Sequence, residues 1–447
     1  TQLSNGRFQV RLTFSKCLPN LGNPTEIALK RFNTLERKFA KNVMLKINYH
    51  DFMKEYINLG HMRLLGPLTE HRIESEPYYL LPHHAVFKND GVTDKIRVVF
   101  DGSAKPSFGK SINACLSTGP KVQNDIFDLI IRFRTYRFAF TADICKMYRQ
   151  ILIHPEDRRY QRILWRDDPT QPMQVYELNT VTYGMSSAPY AAIKCLRLLA
   201  DQVESTFPKA AEIIKDNFYV DDVLCGSSTV GETMELRDQL TQVLSQGRFT
   251  LAKWASNNPN IVPQETPKMS VVKFDQVDNE SKTLGLVWDT QKDAFKYSID
   301  NLSTTGKVSK RKILSVSSKL YDPLGLLGPV TVLAKILLQE IWNLKLSWDE
   351  TVPLSIYSSW KNWLNDLKMA NEITIPRFIF ETDASVELHC FSDASIKAYG
   401  GAIYVRCIKK NGQVNVNLLC AKSRVAPLKA TPLPRLELCA ALLVCQL

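Results

Sequence analysis

The sequence predicts an α+β protein with more than one domain. Three observations lead there. The chain has 447 residues, enough for roughly two to four domains. Strand-like runs crowd residues 78–178 and return at 386–421, whereas residues 307–367 follow a helical pattern. A hydrophobic content of 45% with 23% charged residues is that of an ordinary globular chain.

Charge and cysteine usage narrow the class. The formal net charge is +12, which points to a polyanionic partner, nucleic acid first. No run reaches transmembrane length and no signal peptide opens the chain. The ten cysteines form no Cys-x-x-Cys pair, and the seven histidines do not join them at zinc spacing. Reduced thiols in an intracellular protein are the expectation. Residue 1 is Thr, and the apolar helical pattern at Leu436–Leu447 runs out without a cap, so both ends read as cut from a longer chain.

Taken in order, Phe8 to Phe14 alternates as an edge strand would. Residues 25 to 64 read as helix, with Leu29, Phe32, Leu35 and Phe39 near one face and Lys and Arg on the other. That basic face suits either nucleic acid or water. Tyr78–Val86 and Ile96–Phe100 read as a hairpin with an Asn-Asp-Gly turn at 89–91. Arg97 on its second strand suits a phosphate clamp or an ordinary surface position. Tyr136–Ala142 is a strand ending at Asp143, and Tyr148 follows five positions on. Residues 160–178 continue as β structure. Gly184 permits close backbone approach, and Pro189 opens a helix to about Phe207.

Phe218–Val220 and Val223–Cys225 read as two short strands with Asp221 and Asp222 between them. Adjacent carboxylates repel, so they belong in a tip that water or a cation reaches. Two hard carboxylates on a rigid turn suit Mg²⁺, and an isolated Asp-Asp also suits a solvated turn. A helix at about 229–246, strands at 248–254 and 283–289, and helices through 307–346 and 356–367 follow, with a break at 321–325. The final segment reads strand, turn, strand, with Asp393 near one strand end and Glu437 on an early helical turn. Those two acids could share a metal or be unrelated.

Asp143, Asp221 and Asp222 each lie beside a strand, as two-metal nucleotidyl transfer requires. With basic groups to neutralise phosphates, Arg97 first, the set suits that chemistry, which spacing alone does not establish. At this point the wording itself is informative. Ala142-Asp143-Ile-Cys-Lys-Met-Tyr148-Arg-Gln-Ile resembles the first catalytic motif of reverse transcriptases. Tyr183-Gly184-Met-Ser-Ser-Ala-Pro189 resembles their second motif, and Tyr219-Val220-Asp221-Asp222 their Tyr-x-Asp-Asp box. Arg97-Val-Val-Phe-Asp101 is similar to the fingers motif. Lys253 in Leu-Ala-Lys-Trp looks like the later palm lysine, and Leu284-Gly285 like the primer grip. Arg-Val-Val-Phe-Asp-Gly-Ser-Ala-Lys at 97–105 and Lys-Leu-Tyr-Asp-Pro-Leu-Gly at 319–325 resemble the BEL/Pao class of long-terminal-repeat retrotransposons. The resemblance covers nearly the whole chain.

What the resemblance implies is specific. It implies a right-hand polymerase followed by an incomplete ribonuclease H-like domain. Residues 1–64 would be a basic helical lead-in, 65–292 fingers and palm, 293–380 a mostly helical thumb or connection, and 381–447 the N-terminal part of the ribonuclease H-like domain. The activity would be RNA-directed DNA synthesis on an RNA or DNA template. It would use a DNA primer, deoxynucleoside triphosphates and two Mg²⁺ ions, with Mn²⁺ as a substitute. Asp143, Asp221 and Asp222 would be catalytic metal ligands. Tyr148 would gate against the ribose 2′-hydroxyl, Tyr183 and Gly184 would line the nucleotide pocket, and Lys253 would face pyrophosphate.

Asp393 and Glu437 match the first two ribonuclease H acids. With ten residues after Glu437, that activity is expected to be lost. A protease and an integrase region of one polyprotein, a cytoplasmic particle with nuclear delivery, and no membrane partner complete the expectation. The competing reading is an inactive nucleic-acid-binding remnant; an RNA-dependent RNA polymerase fits Tyr148 and the Asp393 segment poorly.

Overall fold

The computed structural model describes residues 1–15, 21–71, 77–89, 94–264, 269, 271–274, 286–297, 299, 306–381 and 383–447. The chain divides into two units. The first comprises Thr1–Gln123, Asp143–Val223 and Leu236–Ala252, the second Asn124–Ala142, Leu224–Glu235 and Lys253–Leu447.

In the first unit the predicted helical stretch is two helices, Thr25–Lys41 and Val43–Asn58. The first buries Ala28, Phe32, Leu35 and Phe39, one stripe at helical spacing. Asn42 starts the second by accepting the Leu45 amide at 2.9 Å, a cap worth about 1 kcal/mol. Their inner faces meet an aromatic cluster in which Tyr49 stacks on Trp165 at 5.6 Å and Phe39 meets Tyr49 edge-on at 5.2 Å. The helical expectation overshoots at its end. Met62–Pro67 is a strand paired with Gln174–Leu178, which pairs in turn with Arg162–Trp165. The alternation of Phe8–Phe14 is realised as a strand only at Gln9–Val10, parallel to Leu152–Ile153.

The hairpin strands are His83–Asn89 and Asp94–Phe100, antiparallel with Val86 opposite Arg97. The expected turn falls partly on residues 90 and 91, outside the described residues. The helix beginning near Pro189 spans Ala188–Val203. The strand Phe218–Tyr219 pairs antiparallel with the start of the strand Asp222–Ser227.

The acidic hairpin corrects one expectation. Tyr219 pairs with Asp222, and Phe218 with Val223. The tip is therefore Val220–Asp221, and Asp222 is the first residue of the returning strand. A two-residue turn needs positive φ, and Val220 has φ +56°. That region is unfavourable for a β-branched residue.

The second unit has its own core. The hairpin Leu286–Asp289/Ala294–Tyr297 is extended by Thr374–Pro376. Helices Lys310–Ser317, Gly328–Asn343 and Leu354–Lys368 follow the predicted helical pattern. The break at 321–325 has a physical cause. The Asp322 carboxylate accepts the amides of Leu326 and Leu327 at 2.9 and 2.8 Å and the Tyr297 hydroxyl at 2.7 Å.

Two fully buried arginines tie this unit together. Arg377 pairs with Asp293 at 2.6 Å and donates to the carbonyls of Phe133, Tyr136 and Arg137. Arg134 donates to those of Pro376, Arg377, Leu418 and Leu419. Burial lowers the Arg134 pKa to about 10. Removing a partner would strand a buried charge. The unit closes with antiparallel strands Ala384–Ala394, Ala398–Lys409 and Val414–Val425 and the helix Leu433–Cys445.

Candidate functional site

Backbone register sets Asp143 near Asp221. Asp143 is the penultimate residue of Phe138–Ile144. The next amide, Ile144, donates to the Asp221 carbonyl at 2.8 Å, and the Cys145 amide donates to Thr250 at 2.8 Å. Asp143 and Asp221 thus sit on neighbouring chain segments, both half-buried, with Asp222 exposed beside them. The Val220 amide that carries the tip donates to the side-chain oxygen of Gln123 at 3.2 Å.

Tyr183 is the centre of the arrangement. Its ring lies 4.7 Å from the ring of Tyr148, and the Arg97 guanidinium stands 5.8 Å from its centroid. Burial pushes the Tyr183 phenol up; Asp221 and Asp143 push the same way, while Arg149 and Arg97 oppose them. One side chain therefore feels the acids and the cation together. Arg97, Asp143, Tyr148, Tyr183, Gly184, Asp221 and Asp222 all belong to the first unit.

Gly184 shows why glycine stands after Tyr183. Its φ is +93°, and an added Cβ would lie 1.8 Å from the Phe100 carbonyl oxygen. Phe100 ends the strand that carries Arg97, so the loop presses directly on it. Asn113 fastens the same junction. Its amide nitrogen donates to Ser103 Oγ at 2.9 Å and to the Gly184 carbonyl at 2.8 Å, while its oxygen accepts the Ser186 amide at 2.8 Å. No local pattern in the sequence marks Asn113 or Gln123, because their roles come from contacts 71 and 97 residues away.

An apolar cavity of about 290 Å³ lies behind this loop, lined by Phe8, Val10, Leu12, Met185 and Cys195 among others. It is not formed by the acids, which lie at strand ends.

Other predicted residues are placed differently. Lys253 is exposed in Leu251–Ser256 with φ +52° and belongs to the second unit. Leu284 and Gly285 lie outside the described residues. In the second unit Asp393 pairs in register with Gly400, and Glu437 stands on the helix Leu433–Cys445. A Cβ on Gly401 would lie 1.9 Å from Val444, so glycine there lets this helix pack onto the sheet.

Among the described residues no three His, Cys, Asp or Glu side chains converge at metal-holding spacing. Asp143, Asp221 and Asp222 do not meet that spacing. Mg²⁺ commonly takes one or two carboxylates and completes its shell with water and substrate phosphates. Among the described residues no helix is long and apolar enough to cross a membrane.

Comparison with known proteins bears on the fold. Residues 309–447 match the model of the Pao retrotransposon-like RNaseH-like domain. A foamy viral protease–reverse transcriptase dRH solved in complex with double-stranded DNA is similar at TM-score 0.53 and 15% identity, over 87% of this chain and 58% of that one. A foamy viral protease–reverse transcriptase solved with an RNA/DNA hybrid is similar at TM-score 0.53 and 14% identity, over 90% of this chain and 46% of that one. The chain thus spans about half the length of these solved proteins. No curated protein matches.

The chain thus has an α+β fold similar to that of these two reverse transcriptase structures. Residues 309–447 carry the Pao retrotransposon match, the relationship that the motif at 319–325 implies.

Proposed function

We propose that the chain is an RNA-directed DNA polymerase of a Pao-type retrotransposon, extending a primer on RNA or DNA template. The observation that carries the reading is the environment of Tyr183, against which Tyr148 and Arg97 pack and on which Asp143 and Asp221 act electrostatically. Nucleotidyl transfer needs carboxylates at the reacting end of the triphosphate, a cation near its phosphates and an aromatic surface for the sugar and base.

In this reading Asp143 and Asp221 hold Mg²⁺, with Asp222 beside them. The bound metal supplies Lewis-acid activation of the primer hydroxyl and neutralises phosphate charge. Arg97 binds the phosphates. Tyr183 and Gly184 form the floor under base and sugar. Tyr148, whose ring lies 4.7 Å from that of Tyr183, is the gate that excludes a 2′-hydroxyl. Double-stranded DNA and the RNA/DNA hybrid, bound by the foamy viral proteins, are the kind of duplex proposed here.

The test is primer extension on an RNA template with Mg²⁺ and four deoxynucleotides. Wild type should extend and Asp221→Asn should not, while template–primer affinity stays within about threefold. A folded wild type that binds template–primer without extending it would support the nucleic-acid-binding remnant instead.

A further inference from the structure

We propose that Glu55 is a positioning residue for sugar discrimination, acting through the short helix that carries Tyr148. The inference rests on the polymerase reading and on the gate role of Tyr148. That helix, Met147–Gln150, has four residues, too few to hold its shape unaided. Lys146 precedes it in the left-handed region at φ +51°. Tyr148 can therefore be no better placed than the contacts around it.

Those contacts converge on Glu55, from the helix Val43–Asn58. One Glu55 oxygen pairs with the Lys146 ammonium and also accepts the Arg149 guanidinium at 3.0 Å. Lys146 and Arg149 flank the gate residue at positions −2 and +1. A single carboxylate thus holds both sides of Tyr148.

The same helix supplies a second grip. The Arg149 guanidinium lies 4.4 Å from the Tyr56 ring centroid and 5.2 Å from that of Phe52. From the other side Arg7 donates to the Arg149 carbonyl at 2.9 Å and to the Gln150 carbonyl at 3.0 Å. Tyr148 then meets Tyr183 at 4.7 Å.

Electrostatics single out Glu55 within this clamp. Lys146, Arg149 and Arg7 are three cations around one short segment. Partial burial raises the Glu55 pKa, but its bonds to Lys146 and Arg149 outweigh that and leave it below the usual carboxylate range. Neutralising Glu55 leaves the flanking cations without their shared counter-charge, and their repulsion frees the helix to shift. A gate displaced by a fraction of an ångström admits a hydroxyl that the native gate excludes.

The experiment measures kcat/KM for one deoxynucleotide and the matching ribonucleotide in primer extension. It compares wild type, Glu55→Gln, Lys146→Met and Tyr148→Ala. Glu55→Gln should lower discrimination about tenfold, through a lower KM for the ribonucleotide, with deoxynucleotide kcat within about threefold of wild type. Lys146→Met, which removes a half-exposed partner of the same pair, should lower it by a smaller factor in the same direction.

The outcomes separate cleanly. If Tyr148→Ala loses discrimination while Glu55→Gln and Lys146→Met keep it, the Glu55 proposal alone is overturned. If Tyr148→Ala also keeps it, the gate reading falls and takes this proposal with it. No extension by folded wild type overturns the polymerase reading on which both stand.

Discussion

Replacing Gly184 with alanine should damage stability and nucleotide binding together. The native φ of +93° is one that alanine rarely adopts, and the new methyl would lie 1.8 Å from the Phe100 carbonyl oxygen. That is about half of an ordinary van der Waals separation. The obstacle is backbone, so it cannot rotate away. The left-handed backbone costs about 1–2 kcal/mol, and relieving the overlap costs about 1–3 kcal/mol more.

A loss of about 2–5 kcal/mol is a large share of the 5–15 kcal/mol typical of a domain. The relief must move either Phe100, three residues from Arg97, or the loop that Asn113 holds through the Gly184 carbonyl. Denaturant unfolding followed by tryptophan fluorescence gives the stability change, and single-nucleotide extension gives the deoxynucleotide KM. A midpoint within about 0.5 kcal/mol of wild type, the range of ordinary surface substitutions, together with an unchanged KM, would refute the reasoning.

Further outcomes follow from the same geometry. Asp221→Asn should reduce extension by about a thousandfold, read by product gels at saturating template. Tyr148→Ala should raise ribonucleotide incorporation by about tenfold or more, measured by competition between the two sugars. Asn113→Ala should raise the deoxynucleotide KM about tenfold, since it deletes three bonds across one junction; an unchanged KM would show the junction to be held by other contacts.

Acid should destabilise the first unit through His83, which burial holds at a pKa of about 4. Its Nε2–H donates to Leu164 O at 2.9 Å, and its Nδ1 meets the Tyr49 hydroxyl, which can donate to the neutral ring that burial favours. The unfolded chain binds a proton below about pH 6.5. Stability is therefore full above that pH and falls by about 3 kcal/mol as pH drops from 6.5 to 4. His83→Gln should flatten this part of the profile in equilibrium unfolding.

Much of this protein was legible along the chain because its signals are local. The stripe of Phe32, Leu35 and Phe39 predicts a helix face, and those residues are buried on one. Pro189 marks a helix start by its fixed φ, and Gly184 a tight loop by its freedom to take positive φ. The run Tyr219–Asp222 points to the proposed acids without any structure. The element ends were less legible. The tip at Val220–Asp221 puts a β-branched residue at positive φ, against its own preference.

What tertiary structure alone decided lies between distant segments. Glu55 reaches Lys146 and Arg149 across more than 90 residues, Asn113 reaches Gly184 across 71, and Arg134 reaches Leu419 across 285. No periodicity or spacing encodes such pairs, because nothing in the intervening chain depends on them. A carboxylate on a basic-looking helix reads as a solvated surface group until the fold brings two cations to it. The acids and aromatics of the proposed site can be read along the chain, whereas the distant side chains that touch the residues beside them, Glu55 and Asn113 among them, are found only once it is folded.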